Sequence, residues 1–203
     1  MSDKLPALCL NQLMQSNNIE KIINGTYQES CIHLFGITHF KYLDCVKEDL
    51  IKVPIYLKTS EAKSDTRVHK ECLEAFLAMS QAAKKEGITL LIESGYRSST
   101  YQIEVFKRKL DHTISPSSES LKKRLQVSAP AGFSEHHTGY AIDINSTEDS
   151  FAHTKEFTWL QNNAPDFGFK MSFPPNNTQG INFEPWHWKF VNSENAKKIF
   201  YER

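Results

Sequence analysis

Ser134-Glu135-His136-His137-Thr138-Gly139-Tyr140-Ala141-Ile142-Asp143 is the stretch on which the reading of this chain turns. It sets His136 seven residues before Asp143, with a glycine and an alternating run between them. An imidazole nitrogen and a carboxylate oxygen are both good zinc ligands. Gly139 lets the backbone turn between them, and Tyr140 to Ile144 alternates as a strand should. Of the two adjacent histidines, His136 is the expected ligand: alternation would send neighbouring side chains to opposite faces and carry His137 away.

A third donor is offered downstream by Glu184-Pro185-Trp186-His187-Trp188, where His187 follows a carboxylate by three residues. Three protein ligands leave the fourth tetrahedral position open, which is the catalytic rather than the structural form of a zinc site. Water at such a position titrates near neutrality, and Glu184 is the natural base to take its proton. Asp143 lies between Ile142 and Ile144, and Glu184 lies close to Phe183 and Trp186. Both carboxylates are therefore expected to be at least partly buried and to need a partner.

Outward from these two segments, Thr66 to Glu86 repeats apolar residues at three and four (Val68, Cys72, Ala75, Phe76, Met79, Ala82, Ala83), which predicts an amphipathic helix stopped by Gly87. Ile88 to Glu93 predicts a buried strand running into Ser94-Gly95-Tyr96-Arg97-Ser98, and a helix follows from about Thr100 to Leu110. Phe151 to Asn162 predicts a helix and Asn182 to Val191 a last strand. The run Asp49 to Lys58, interrupted by Pro54, suits an edge strand or a strand start. Residues 7–24 suggest an N-terminal helix, and residues 115–120 a Ser/Pro linker.

The 203 residues suffice for one sizeable core. The expected organisation is an N-terminal extension, 1–60, packed on a body of residues 61–203. Twenty-four basic residues balance twenty-four acidic ones, so no net field draws the chain to nucleic acid or to an anionic bilayer. Leu5 to Leu10 is too short for a secretory core, and no run is long enough to span a membrane. The four cysteines, Cys9, Cys31, Cys45 and Cys72, form no CxxC pair and are expected to be buried free thiols. With no export signal read, the expected compartment is the cytoplasm.

Taken together, Ser134, His136, Gly139, Ala141 and Asp143 (SxHxxGxAxD), the EPWH run Glu184 to His187, and the SGYRS turn followed by Gln102 resemble the VanY-type D-alanyl-D-alanine carboxypeptidases. These stand within a wider group that includes lysostaphin-like peptidases and the hedgehog domain. The resemblance covers roughly residues 85 to 195. It implies an α+β fold in which a small antiparallel sheet carries a zinc site on one face and helices on the other. It implies Zn2+ held by His136, Asp143 and His187, with Glu184 as catalytic base. Arg97 would bind substrate and stabilise the oxyanion, and Gln102 and Ser134 would face the substrate. The chain departs from the pattern at Lys189, where many relatives have arginine, and at Ile181, where a tyrosine is common.

The implied activity is removal of a C-terminal D-Ala from muropeptide or peptidoglycan stem peptides. A tetrapeptide (L,D) substrate is slightly favoured over a pentapeptide (D,D), since a cytoplasmic enzyme would meet recycled wall fragments. Two other readings stand beside it: a phage-endolysin-like wall endopeptidase, and a zinc-stabilised binding module without catalysis.

Overall fold

The structure is a computed structural model in which residues 16–108, 110 and 118–202 are described. The fold is α+β, and the chain divides into two compact units that do not follow chain order.

The first unit comprises the described parts of Met1–Leu43, Ser98–Ser134 and Pro175–Phe183. It holds helix α1 (Ser16–Ile23) and a hairpin of β1 (Cys31–Leu34) and β2 (Ile37–Phe40). It also holds helices α3 (Ser99–Lys107) and α4 (Ser118–Val127). Ile22, Tyr27, Ile32 and Phe133 form its buried cluster. Ser98 caps α3 by accepting the Tyr101 amide at 3.1 Å. Only residues 16–24 of the expected N-terminal helix fall within the described region, 16–23 of them helical, and half of the expected 115–120 linker lies outside it, residues 118–120 opening α4. Arg124 of α4 is buried and donates to the carbonyls of Val105 and Phe106. Neither the hairpin nor α4 was expected from the sequence.

The second unit comprises the described parts of Asp44–Arg97, Glu135–Pro174 and Glu184–Arg203. Its centre is a four-stranded antiparallel sheet in the order β5 (Ile92–Ser94), β6 (Ala141–Ile144), β8 (His187–Phe190), β7 (Phe169–Met171). Register fixes what each face carries. Asp143 pairs with His187, and Ala141 with Lys189, so the polar residues of β6 and β8 share one face. Ile142 pairs with Trp188 and Phe169 with Phe190, which puts the large apolar side chains on the other. Helix α2 (Lys70–Lys85) packs there, with Phe76 meeting Phe169 edge-on at 6.5 Å between ring centres. Helices α5 (Lys155–Asn163) and α6 (Glu194–Tyr201) complete the unit.

Several expected boundaries move for physical reasons. The helix predicted from Thr66 begins at Lys70, because Arg67–His69 forms strand β4 and pairs with β3 (Leu50–Lys52). His69 then caps the helix, its Nδ1 accepting the Glu71 amide at 3.2 Å. The last strand starts at His187 rather than Asn182, because a turn closed by His187 N–H to Glu184 O at 3.2 Å precedes it. Cys31 is disulfide-bonded rather than a free thiol, whereas Cys45 and Cys72 are free. No helix among the described residues is long and apolar enough to cross a membrane.

Candidate metal centre

His136, Asp143 and His187 come together on the polar face of the sheet. Each offers one ligand atom, and the three atoms lie within 4.8 Å of one another. All three residues are buried, at 2, 5 and 3% exposure. Asp143 and His187 reach the site from adjacent strands, and His136 from a 3-10 turn, Glu135–Thr138. That turn corrects the reason given above for preferring His136. The two histidines diverge because successive residues of a 3-10 helix point about 120° apart, and not through strand alternation.

The turn is held on every side by backbone bonds. Arg97 N–H donates to His136 O at 3.2 Å, Cys45 N–H to His137 O at 2.7 Å and His69 N–H to Gly139 O at 2.8 Å. Gly139 sits at φ +72°, where only glycine is unstrained, and a Cβ there would stand 3.0 Å from the His69 amide nitrogen.

A partner that can only accept a hydrogen bond decides the tautomer of His136, whereas His187 has such a partner at each nitrogen. His136 Nδ1 lies 2.7 Å from Gly95 O, so Nδ1 carries the proton and the Nε2 lone pair is left for a metal. That Nε2 is 3.3 Å from Asp143 Oδ2. His187 uses the opposite nitrogens: Nε2 lies 3.1 Å from Glu135 Oε2, and Nδ1 lies 2.9 Å from Asp143 Oδ1. The Phe173 ring stacks on the His187 imidazole at 5.2 Å, which closes one side.

The electrostatics follow from burial and crowding. Burial, then the nearby Arg97 charge, lowers His136 to about 4, so it stands as a neutral imidazole. Burial works against a charged His187, yet its bonds to Asp143 and Glu135 raise it to about 10. Burial would raise Asp143, but His136 and His187 hold it well below the carboxylate range. Glu184 is half-buried, and desolvation, helped by the charges of Asp143 and Glu135, pushes it up to about 7. The His187 charge, and after it that of Arg97, opposes that rise.

The donor set fits zinc. Two neutral-capable imidazoles and a carboxylate form a borderline-soft N2O triad. A dication would replace the proton held between His187 Nδ1 and Asp143 Oδ1 and would relieve the mutual repulsion of Asp143 and Glu184.

Gln102 and Ser134 are buried within the first unit, Gln102 donating through Nε2 to Ala129 O at 2.7 Å. The sequence reading gave Glu135, His137 and Lys189 no role at the centre. Glu135 accepts from His187, from Lys189 Nζ at 2.6 Å and from the Ser172 hydroxyl. Burial would raise Glu135, but the charges of Lys189 and His187 hold it well below the carboxylate range. His137, fully buried, lies with Nδ1 2.6 Å from Arg97 O. Strand period two places Lys189 on the face of His187 and could have located it. A buried Glu135 had no local signal.

A small antiparallel sheet with a buried His/Asp/His triad, and a carboxylate three residues before the last histidine, defines the class of zinc metallopeptidases. The chain belongs to the VanY family, D-alanyl-D-alanine carboxypeptidase, whose profile matches residues 65–193, more than half of its length. It is 34% identical over 159 residues to YodJ of Bacillus subtilis (strain 168), covering 74% of this chain and 56% of YodJ. The chain thus spans about half the length of the curated relatives it matches. Among solved structures it is similar to the LdcB LD-carboxypeptidase, with TM-score 0.63 and 32% identity over 78% of this chain and 73% of that one. It is also similar to a mutant of the vancomycin resistance D,D-pentapeptidase VanY in complex with Zn(II). That match has TM-score 0.55 and 28% identity, covering 78% of this chain and 91% of the other.

Proposed function

We propose that this chain is a zinc carboxypeptidase that removes C-terminal D-Ala from peptidoglycan stem peptides, with the L,D bond of a tetrapeptide preferred over the D,D bond of a pentapeptide. The observation that carries the reading is the convergence of three buried donor atoms within 4.8 Å, with the Glu184 carboxyl near enough to feel the Asp143 and His187 charges. The L,D preference draws on the higher identity and TM-score with the LD-carboxypeptidase than with the D,D-pentapeptidase.

In this proposal His136 Nε2, His187 Nδ1 and an Asp143 oxygen hold the metal. Zinc, when bound, supplies Lewis acidity toward a peptide carbonyl and toward water. Glu184, a carboxylate near neutrality, accepts the proton of the attacking water and returns it to the nitrogen of the departing D-Ala. The Arg97 guanidinium provides positive charge for the oxyanion, a contribution typically worth ~3 to 4 kcal/mol for one lost donor. Gln102 and Ser134 are carried as substrate-facing positions. Trimming of recycled wall fragments in the cytoplasm is one setting for the reaction. The Cys31 disulfide speaks for an oxidising one.

The test is D-alanine release from purified muropeptide tetrapeptide and pentapeptide, side by side, with and without a chelator. Chelator-sensitive release from the tetrapeptide in excess over the pentapeptide is expected. Preferential release from the pentapeptide would overturn the L,D assignment, and no release from either would overturn the carboxypeptidase reading.

A further inference from the structure

We infer that Glu135, locked by Lys189 and Ser172, is a positioning residue that fixes the tautomer and ring orientation of His187 so that its Nδ1 faces the metal. The inference rests on the metal-site reading above and concerns a residue outside the ligand set.

Glu135 lies on the 3-10 turn immediately before His136, and its side chain is 4% exposed. A carboxylate so placed is costly unless its oxygens are engaged, and here both are. Oε1 accepts from Lys189 Nζ at 2.6 Å, while Oε2 accepts from the Ser172 hydroxyl and faces His187 Nε2 at 3.1 Å. Lys189 is itself held, its ammonium 4.8 Å above the Phe200 ring and its strand position two residues beyond His187. The carboxylate therefore has no freedom to rotate away from the imidazole.

The consequence is chemical. Both ring nitrogens of His187 face carboxylates, which only accept, so each carries a proton in the metal-free chain; where a cation takes the place of the proton facing Asp143, Glu135 keeps the N–H at Nε2 and leaves the lone pair on Nδ1. Nδ1 is the nitrogen that points at Asp143, 2.9 Å from Oδ1. Carboxylate partners of this kind raise the basicity of a metal-bound histidine, and their loss typically weakens metal binding by 10- to 100-fold. The same arrangement gives Lys189 a role: its ammonium, 2.6 Å from Oε1, holds the Glu135 carboxylate in place.

The experiment measures the zinc dissociation constant of the full chain by competition with a chromophoric chelator, together with the visible spectrum of the cobalt(II)-loaded protein. Glu135→Gln is the primary variant. Glu135→Gln/Lys189→Met serves as the second, because it removes both buried charges and leaves no unpaired ammonium to disturb folding. We expect a tenfold or greater loss of zinc affinity in the double variant and a changed cobalt spectrum, which a change in packing alone would not produce. A smaller loss with an unchanged spectrum overturns the inference. Failure of the wild-type chain to bind zinc would instead overturn the metal-site reading, so the two failures are distinguishable.

Discussion

Asp143 and His187 are register partners on β6 and β8, and their side chains meet across the strands with His187 Nδ1 2.9 Å from Asp143 Oδ1. In the chelated protein this pair makes stability depend on pH in a direction that can be worked out. His187 titrates at about 10 in the folded chain against an ordinary 6.5, so its contribution is complete below 6.5 and is lost as pH rises through 10. His136 is lowered from 6.5 to about 4 by burial, so it costs stability as pH falls through that interval and the unfolded chain takes up the proton first. Glu184, raised to about 7, works against His136 below neutrality, so the clear expectation is that the melting temperature of the chelated chain falls as pH rises from about 7 to 10. A melting temperature that climbs from neutral to alkaline pH would contradict this assignment.

Glu184 must be ionised to act as a base, and it is raised to about 7. D-Ala release should therefore increase with pH as Glu184 loses its proton, with the midpoint at or below pH 7 once a cation stands nearby. Glu184→Gln should keep zinc stoichiometry while losing about 10²- to 10⁴-fold in kcat/KM. Full activity in that variant would remove Glu184 from the reaction.

Gly95 is the acceptor that orients His136, and its backbone passes so close to β4 that a Cβ would fall 2.4 Å from Arg67 O and 2.7 Å from Val68 Cγ1. Gly95→Ala should cost about 1–3 kcal/mol through overpacking and should also weaken zinc binding, since the Gly95 carbonyl must shift. Chemical denaturation and zinc titration of the same variant check both effects; unaltered zinc affinity would show that the carbonyl does not set the ring.

His137 donates to the carbonyl of Arg97 rather than to the metal centre. His137→Ala should leave that carbonyl without this donor at a cost of about 1–3 kcal/mol. Zinc content should stay at the wild-type level while kcat/KM falls through a misplaced Arg97. Loss of zinc from this variant, measured by metal analysis, would reverse the roles assigned to the two histidines.

How much could be read in advance depended on the range of each signal. The motif around His136 and Asp143 spans ten residues, so donor types and spacing were visible in one window. The helix from Lys70 to Lys85 was legible because Cys72, Phe76, Met79 and Ala83 keep helical period. Strand β7 is only three residues long, too short to display alternation. Helix α4 buries Arg124, a residue type expected at the surface, and satisfies it with two carbonyls that no local pattern announces.

By itself the sequence offered a candidate donor set and a candidate base three residues before its last member, because both are written in short-range spacing and residue chemistry, and its motifs carried the resemblance that implied the fold class. Tertiary structure alone decided that His187 and Asp143, 44 residues apart, stand opposite each other, that His137 turns to Arg97, and that Glu135 and Lys189 close on His187. Those relations depend on strand register and on a 3-10 turn, which are set by which backbone groups find partners across the whole fold and not by any neighbouring residue.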